Sequence, residues 1–233
     1  MDITKITGMQ KVRQISKNGF YVTILNSGDL REIKRDDIYV NLYLGNNLEG
    51  MLSNIFLRLD KDVNKVKPLI GIKSNSEFEI SDDQICYRGE FDGEKYEVIF
   101  ALNENAWFYT VKMHSNRYVE LVYGQDIGLS AGIRGNEAYV SQYIDHKAFL
   151  IENGYIVCSR QNQKQGDKNP YLQIGCFDKT VAYSTDGFQF FGTDYKFDNK
   201  LLIQRQSSLP SEVYQYEFSY AGLQTRVFCP DEK

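Results

Sequence analysis

Tyr96-Glu97-Val98-Ile99-Phe100 and, beyond the short turn Asn103-Glu104-Asn105, Trp107-Phe108-Tyr109-Thr110-Val111-Lys112-Met113-His114 decide the fold class. In the first run Tyr96, Val98 and Phe100 alternate with Glu97 and Ile99; in the second Trp107, Tyr109, Val111 and Met113 oppose Thr110, Lys112 and His114. A period of two buries one set of side chains and leaves the other outside, which is the pattern of a half-buried β-strand. Two such runs across a short polar turn predict an antiparallel hairpin.

The alternation recurs at Val119–Tyr123, Tyr155–Arg160, Tyr171–Phe177 and Thr180–Ser184, and most cleanly where Tyr214, Tyr216, Phe218 and Tyr220 oppose Gln215, Glu217 and Ser219. Many short strands punctuated by Gly, Asn and Asp predict an all-β fold, a large antiparallel β-sandwich, with a barrel as the alternative. One segment is ambiguous. Leu48, Met51, Leu52, Ile55, Phe56 and Leu59 fall at helical spacing, yet Gly45, Asn46, Asn47, Gly50 and Asn54 weaken a helix, and Ile55, Leu57 and Leu59 also alternate. A loop followed by a strand is the expected outcome.

The chain has 233 residues, 42% of them apolar and 25% charged, the balance of a globular protein. All-β domains commonly run past 200 residues around one core, so residues 1–233 are expected to form a single domain. A net charge of −4 with both signs interspersed gives no basic stripe for a phosphate backbone, which sets nucleic acid aside as a partner. No run approaches the roughly 20 apolar residues that span a bilayer, and Met1 to Gln10 lack a secretory pattern, so no membrane is expected and the location reads as cytoplasmic. Cys86, Cys158, Cys176 and Cys229 are widely spaced without a C-x-x-C pair, and only His114 and His146 are available beside them; buried free thiols are expected, and no metal site or cofactor.

The common catalytic fingerprints are absent: no G-x-S-x-G elbow, no phosphate loop, no H-E-x-x-H and no G-x-G-x-x-G after a strand. Asp126, Asp145 and Asp186 sit among aromatics and glycines, where a carboxylate pair could serve glycoside hydrolysis. His146 beside Asp145 could act as a general base, or lie in a strand-end turn. Ser184-Thr185-Asp186-Gly187 before Phe188-Gln189-Phe190-Phe191-Gly192 reads as a hairpin turn with Phe residues in the core, or as a sugar-facing platform. The most suggestive group is Arg160-Gln161-Asn162-Gln163, opening the polar connection Gln161–Pro170, with Gln173 on the next strand. Amides offer donors and acceptors together and the guanidinium offers a planar fork of donors, a set that suits neutral polyols; a merely solvated loop is the competing reading.

The ordered series Gln125-Asp126-Ile127-Gly128-Leu129, Tyr143-Ile144-Asp145-His146-Lys147, Cys158-Ser159-Arg160-Gln161-Asn162-Gln163 and Tyr183-Ser184-Thr185-Asp186-Gly187-Phe188-Gln189-Phe190-Phe191-Gly192 resembles the N-terminal region of the cellobiose phosphorylase family, the inverting glycoside phosphorylases. Leu44-Gly45-Asn46-Asn47-Leu48-Glu49-Gly50 and Asn54-Ile55-Phe56-Leu57-Arg58 fit the same group, most like its 1,2-β-oligoglucan phosphorylases, and the likeness runs from about Ile38 to Phe197. The resemblance implies a galactose-mutarotase-like supersandwich, followed in the whole enzyme by a helical barrel that carries the general acid. It implies inorganic phosphate as the co-substrate, a β-linked gluco-oligosaccharide as the ligand, α-glucose-1-phosphate as the product, and in some members a homodimer.

With no barrel in the chain, no catalytic residue is assigned to it and the isolated chain is expected to be inactive. Arg160, Gln161, Asn162 and Gln163 match the family's loop motifs and, with Gln173, are the expected sugar-binding residues. A stand-alone carbohydrate-binding module and a mutarotase-like aldose epimerase remain alternatives, as does a purely structural domain. The closing run Leu223–Phe228 before Cys-Pro-Asp-Glu-Lys reads as a strand with the chain cut soon after it.

Overall fold

The computed structural model describes residues 13–131, 137–215 and 218–232. In chain order the first strands are β1 (Arg13–Lys17), β2 (Phe20–Ile24), β3 (Leu30–Arg35), β4 (Ile38–Tyr39), β5 (Asn54–Leu59) and β6 (Val66–Pro68). There follow β7 (Glu77–Ile80), β8 (Gln84–Phe91), β9 (Glu94–Leu102), β10 (Trp107–Met113), β11 (Val119–Asp126) and β12 (Ser130–Ala131). After a short helix α1 (Glu137–Ser141) come β13 (Ile144–Ile151), β14 (Gly154–Gln161), β15 (Tyr171–Ile174) and β16 (Thr180–Asp186). Two further helical turns, α2 (Gly187–Phe191) and α3 (Tyr195–Asp198), precede β17 (Ser219–Thr225).

The strands pair antiparallel in four sheets, ordered β1-β2-β3-β4-β12, β10-β9-β8-β7, β16-β17-β11-β5-β6 and β13-β14-β15. The fold is all-β, as the alternation requires. The β9–β10 hairpin forms where expected, with Leu102 opposite Trp107 and Met113 opposite Tyr96. Tyr96, Val98 and Phe100 are buried in the main core, where they meet Ile55, Leu57 and Leu59 of β5 and Val22, Ile24 and Ile33 of the first sheet.

The sheet containing β5 and β11 is covered on both faces. Its second face carries Phe56 and Val122 beneath a lid made by Phe190, Phe191, Leu201, Ile203 and Leu209. Polar residues on that face are therefore buried too. Arg58 and Glu120 lie 2.9 Å apart, and Arg58 also donates to the carbonyls of Ser207 (2.7 Å) and Ile203 (3.0 Å). Gln224 donates to Glu120 and to Ser207 O and accepts from Leu209 N, so the three polar side chains pin the lid to the sheet.

The small β13–β15 sheet packs on the β16–β17 edge of the central sheet through Ile144, Val157, Ile174, Tyr183, Ala221 and Leu223. Gly154, at φ 97, opens β14 in a backbone conformation that favours glycine, and an added Cβ would collide with the Thr180 carbonyl. The adjacent Asn153 carbonyl accepts from Thr180 N at 3.0 Å, which fixes the hairpin against β16.

Four expectations are corrected. Among the described residues of the Tyr214–Tyr220 alternation, the strand begins at Ser219 and Tyr214 is tied to β16 through Thr185 Oγ1; Tyr216 and Glu217 lie outside the described residues, as do Met1–Gln10. The Tyr171–Phe177 run ends as a strand at Ile174. Ser184–Gly192 is not a hairpin, because Asp186 accepts from Phe188 N at 2.7 Å and caps α2, and Gly187 approaches Phe218 so closely that only glycine fits. The cysteines are free thiols but none is buried; Cys86 and Cys158 stand at half-buried strand positions and Cys176 is exposed on a loop.

Candidate functional site

Strand parity sorts the predicted residues before any chemistry does. On β14, Val157, Ser159 and Gln161 are buried while Arg160 is exposed. The register places Asp145, Arg160 and Tyr171 side by side across three strands, with Lys147, Cys158 and Gln173 in the next row. Cross-strand neighbours stand about 5 Å apart at Cβ, so each row is a compact set of functional groups.

Arg160 faces Asp145 without forming an ion pair, and its guanidinium has no side-chain partner among the described residues. Gln173 accepts only a weak contact from the Cys158 thiol at 3.9 Å. Tyr171 beside them is 81% exposed. This outer face thus presents unspent donors and acceptors next to an aromatic ring, a combination that suits a polyol.

Gln161 points the other way. It is 0% exposed; its Nε2 donates to Gly128 O at 3.2 Å and its Oε1 accepts from Gln163 N at 2.9 Å. Its amide is consumed in shaping the polar connection. Gln165 assists by donating to Gln163 O and accepting from Ala131 N, and Asn169 donates to the Gln161 and Asn162 carbonyls. Asn162 N donates to Tyr143 O at 2.8 Å. The loop is therefore held by its own amides, and Asn162 and Gln163 are presented from a fixed backbone at the end of the outer face.

Asp126, Asp186 and His146 are structural supports, while Asp145 alone stands on the outer face beside Arg160. Asp126 is buried and accepts from Leu42 N, Tyr43 N, Asn41 Nδ2 and Ser53 Oγ, so it organises the loop before β5. Burial pushes its pKa up against the pull of those donors. Asp186 caps α2. His146 and Asp145 cannot act as a dyad, because neighbours on a strand point to opposite faces. His146 is 1% exposed, between Ser159 Oγ at 2.8 Å and Ser219 Oγ at 3.1 Å, and burial drives its pKa down to about 4. His114 is exposed near Asp231, whereas His146 is buried between Ser159 and Ser219, so the two histidines share no partner among the described residues. Among the described residues no group of three or more His, Cys, Asp or Glu could hold a metal ion.

Sequence reasoning passed over Tyr139. It lies on α1, 45% exposed, four residues before Tyr143, whose ring packs edge-on at 5.1 Å. Gln163 Nε2 reaches the Tyr139 hydroxyl at 3.5 Å, and that hydroxyl pushes the Tyr143 phenol pKa up. The i, i+4 spacing of two tyrosines just ahead of an alternating run is the signal that points to them.

Residues 23–232 match the model of the SOGP N-terminal domain. The chain belongs to the SOGP N-terminal domain family. This SOGP N-terminal domain is 38% identical over 223 residues to a 1,2-beta-oligoglucan phosphorylase of Listeria innocua serovar 6a, across 94% of the chain. It spans only 20% of that relative's length. Among solved structures, a 4-alpha-glucanotransferase from Thermococcus litoralis aligns over 94% of the chain and 35% of its own, with 10% identity and a TM-score of 0.40. A likeness at that level bears on neither fold nor function. No helix among the described residues is long and apolar enough to cross a membrane.

Proposed function

We propose that this SOGP N-terminal domain grips and shapes the oligosaccharide for a larger β-glucan phosphorylase. The observation that carries the reading is the outer face of the β13–β15 sheet, where Arg160 and Gln173 stand unspent beside the exposed ring of Tyr171. Arg160, Asn162, Gln163 and Gln173 hydrogen-bond sugar hydroxyls, Gln161 fixes the loop that presents two of them, and Tyr171 lies against the apolar face of a pyranose. Arg160 stands opposite Asp145, so the phosphate is not assigned to this set.

In the whole enzyme of this reading, inorganic phosphate attacks the anomeric carbon of a β-linked glucoside and a carboxylic acid outside this chain protonates the departing glycosidic oxygen. The products are α-glucose-1-phosphate, with inversion, and the shortened oligosaccharide. Residues 1–233 act as one sandwich domain that holds the substrate, and no residue of the chain takes part in bond breaking. The relative's name supports a β-1,2-linked glucan as the ligand class.

Calorimetric titration of the chain with linear β-1,2- and β-1,4-linked gluco-oligosaccharides, alongside an assay for glucose-1-phosphate, tests the proposal. Binding at about millimolar strength without sugar phosphate release is the expected result, since an open sheet face buries little of its ligand. Release of glucose-1-phosphate by the chain alone, or indifference to every glucan, overturns it.

A further inference from the structure

We propose that Phe177, stacked on Phe108, forms a second platform for a pyranose of a neutral glucan, so that the domain holds chains of several units more tightly than a disaccharide. The inference rests on the carbohydrate reading above and extends it to residues outside the set named there.

Strand β15 pairs with β14 through Ile174, and the chain then runs on to Phe177. The Phe177 ring is 87% exposed but oriented: it lies against Phe108 of β10, with centroids 6.1 Å apart and planes 21° apart. One face of the ring is occupied and the other is left open to solvent. A scattered exposed phenylalanine is ordinary on a protein surface. One that a second ring holds near-parallel, where a sugar-facing strand leaves its sheet, is a stacking surface that a ligand covers at little entropy cost.

The surroundings of the pair are neutral. Trp107, Tyr109, Val111 and Met113 pack on the main core, so Phe108 and Thr110 between them face outward by strand parity. Phe108 stands opposite Ala101 of β9, and Ala101 opposite Gln84 of β8, a row without charge. The charged side chains further along the same sheet are spent on one another: Arg88 pairs with Glu79 at 2.9 Å and with Glu97 at 3.1 Å, and Lys112 pairs with Glu97 at 3.3 Å. The small Ala101 leaves a low floor between Phe108 and Gln84. The exposed Gln84 amide and Thr110 hydroxyl have no side-chain partner among the described residues. Rings flanked by an uncharged amide and hydroxyl match the apolar face and hydroxyl edge of a pyranose.

The platform shares no residue with the Arg160 and Gln173 face, yet one stretch of chain leads from one to the other. Tyr171 and Phe177 are six residues apart, a reach of up to about 20 Å in extended chain. A glucan of several units lying along that stretch meets both rings, whereas a disaccharide held at Tyr171 leaves Phe177 uncovered.

Calorimetric titration of the full chain and of Phe177→Ala with the linear β-1,2-linked disaccharide and hexasaccharide of glucose tests the platform. The unaltered chain is expected to bind the hexasaccharide more tightly, and Phe177→Ala to weaken that binding about five- to tenfold while leaving the disaccharide within about twofold. Thermal unfolding reports whether the variant is folded. Should it fail to fold, the emission of Phe177→Trp decides: a change on adding hexasaccharide, beyond that of Trp107 in the unaltered chain, supports the platform, and no change at saturation overturns it. A folded Phe177→Ala that binds the hexasaccharide as the unaltered chain does, or that loses both sugars equally, overturns the platform and leaves the Arg160 and Gln173 face standing. An unaltered chain that binds no glucan overturns both.

Discussion

The inner and outer faces of the β13–β15 sheet carry residues of the same types, and the fold gives them opposite tasks. Inside, Gln161, Ser159 and His146 spend every strong hydrogen-bonding group on the protein. Outside, one residue along the same strand, Arg160 is exposed with its guanidinium unspent, and Gln173 is bonded only to a thiol. A buried polar group without a partner is costly, whereas an exposed one is already solvated, so only the outer face can exchange water for a ligand cheaply. The buried Arg58, Glu120 and Gln224 beneath the lid extend the inner pattern to the central sheet.

The largest effect should come from breaking that lid. Arg58→Ala leaves the Glu120 carboxylate buried without its cation and should lower stability by about 3–5 kcal/mol in urea unfolding, with no direct effect at the sugar face. On the inner side of the small sheet, Gln161→Ala strands the Gly128 carbonyl and Gln163 N–H and should cost roughly 1–3 kcal/mol.

His146 sharpens the comparison through pH. Its folded pKa of about 4 lies below the ordinary 6.5, so the folded state prefers the neutral ring and the unfolded chain takes up a proton first. Its contribution is complete above pH 6.5 and fades as pH falls toward 4, by up to about 3 kcal/mol. The buried Glu120 and Asp126 shift in the opposite direction, since burial raises both, and their stabilising share grows as they protonate. Comparing the unaltered chain with His146→Gln between pH 7 and pH 4.5 isolates the histidine: the stability gap should shrink at the lower pH, and a gap independent of pH contradicts a buried neutral ring. The smallest stability effects belong outside, where Arg160→Ala and Gln173→Ala should change unfolding by no more than about 0.5 kcal/mol.

The fold was legible in the sequence wherever one side of a strand meets water. Tyr96, Val98 and Phe100 against Glu97 gave the β9–β10 hairpin because Glu97 lies on the outer side. The signal misled where a second layer covers the sheet. Asn54, Arg58, Glu120 and Asp126 look like outward positions of an alternating strand, yet the lid and the loop before β5 bury them. The same holds for the site. Arg160 and Gln173 fall on one face by register, but Gln161 next to Arg160 must point inward, a consequence of parity that sequence composition does not display. Tyr214 illustrates the remaining gap, since its backbone N–H and carbonyl pair with the Thr185 hydroxyl, a partner that alternation does not display.

The most direct test is a single calorimetric comparison, with linear β-1,2-linked gluco-oligosaccharide titrated into the unaltered chain and into folded Arg160→Ala. The account predicts about millimolar binding that weakens roughly tenfold when the exposed guanidinium is removed, with unfolding unchanged. Binding of the same strength in both proteins would contradict the claim that the outer face holds the sugar.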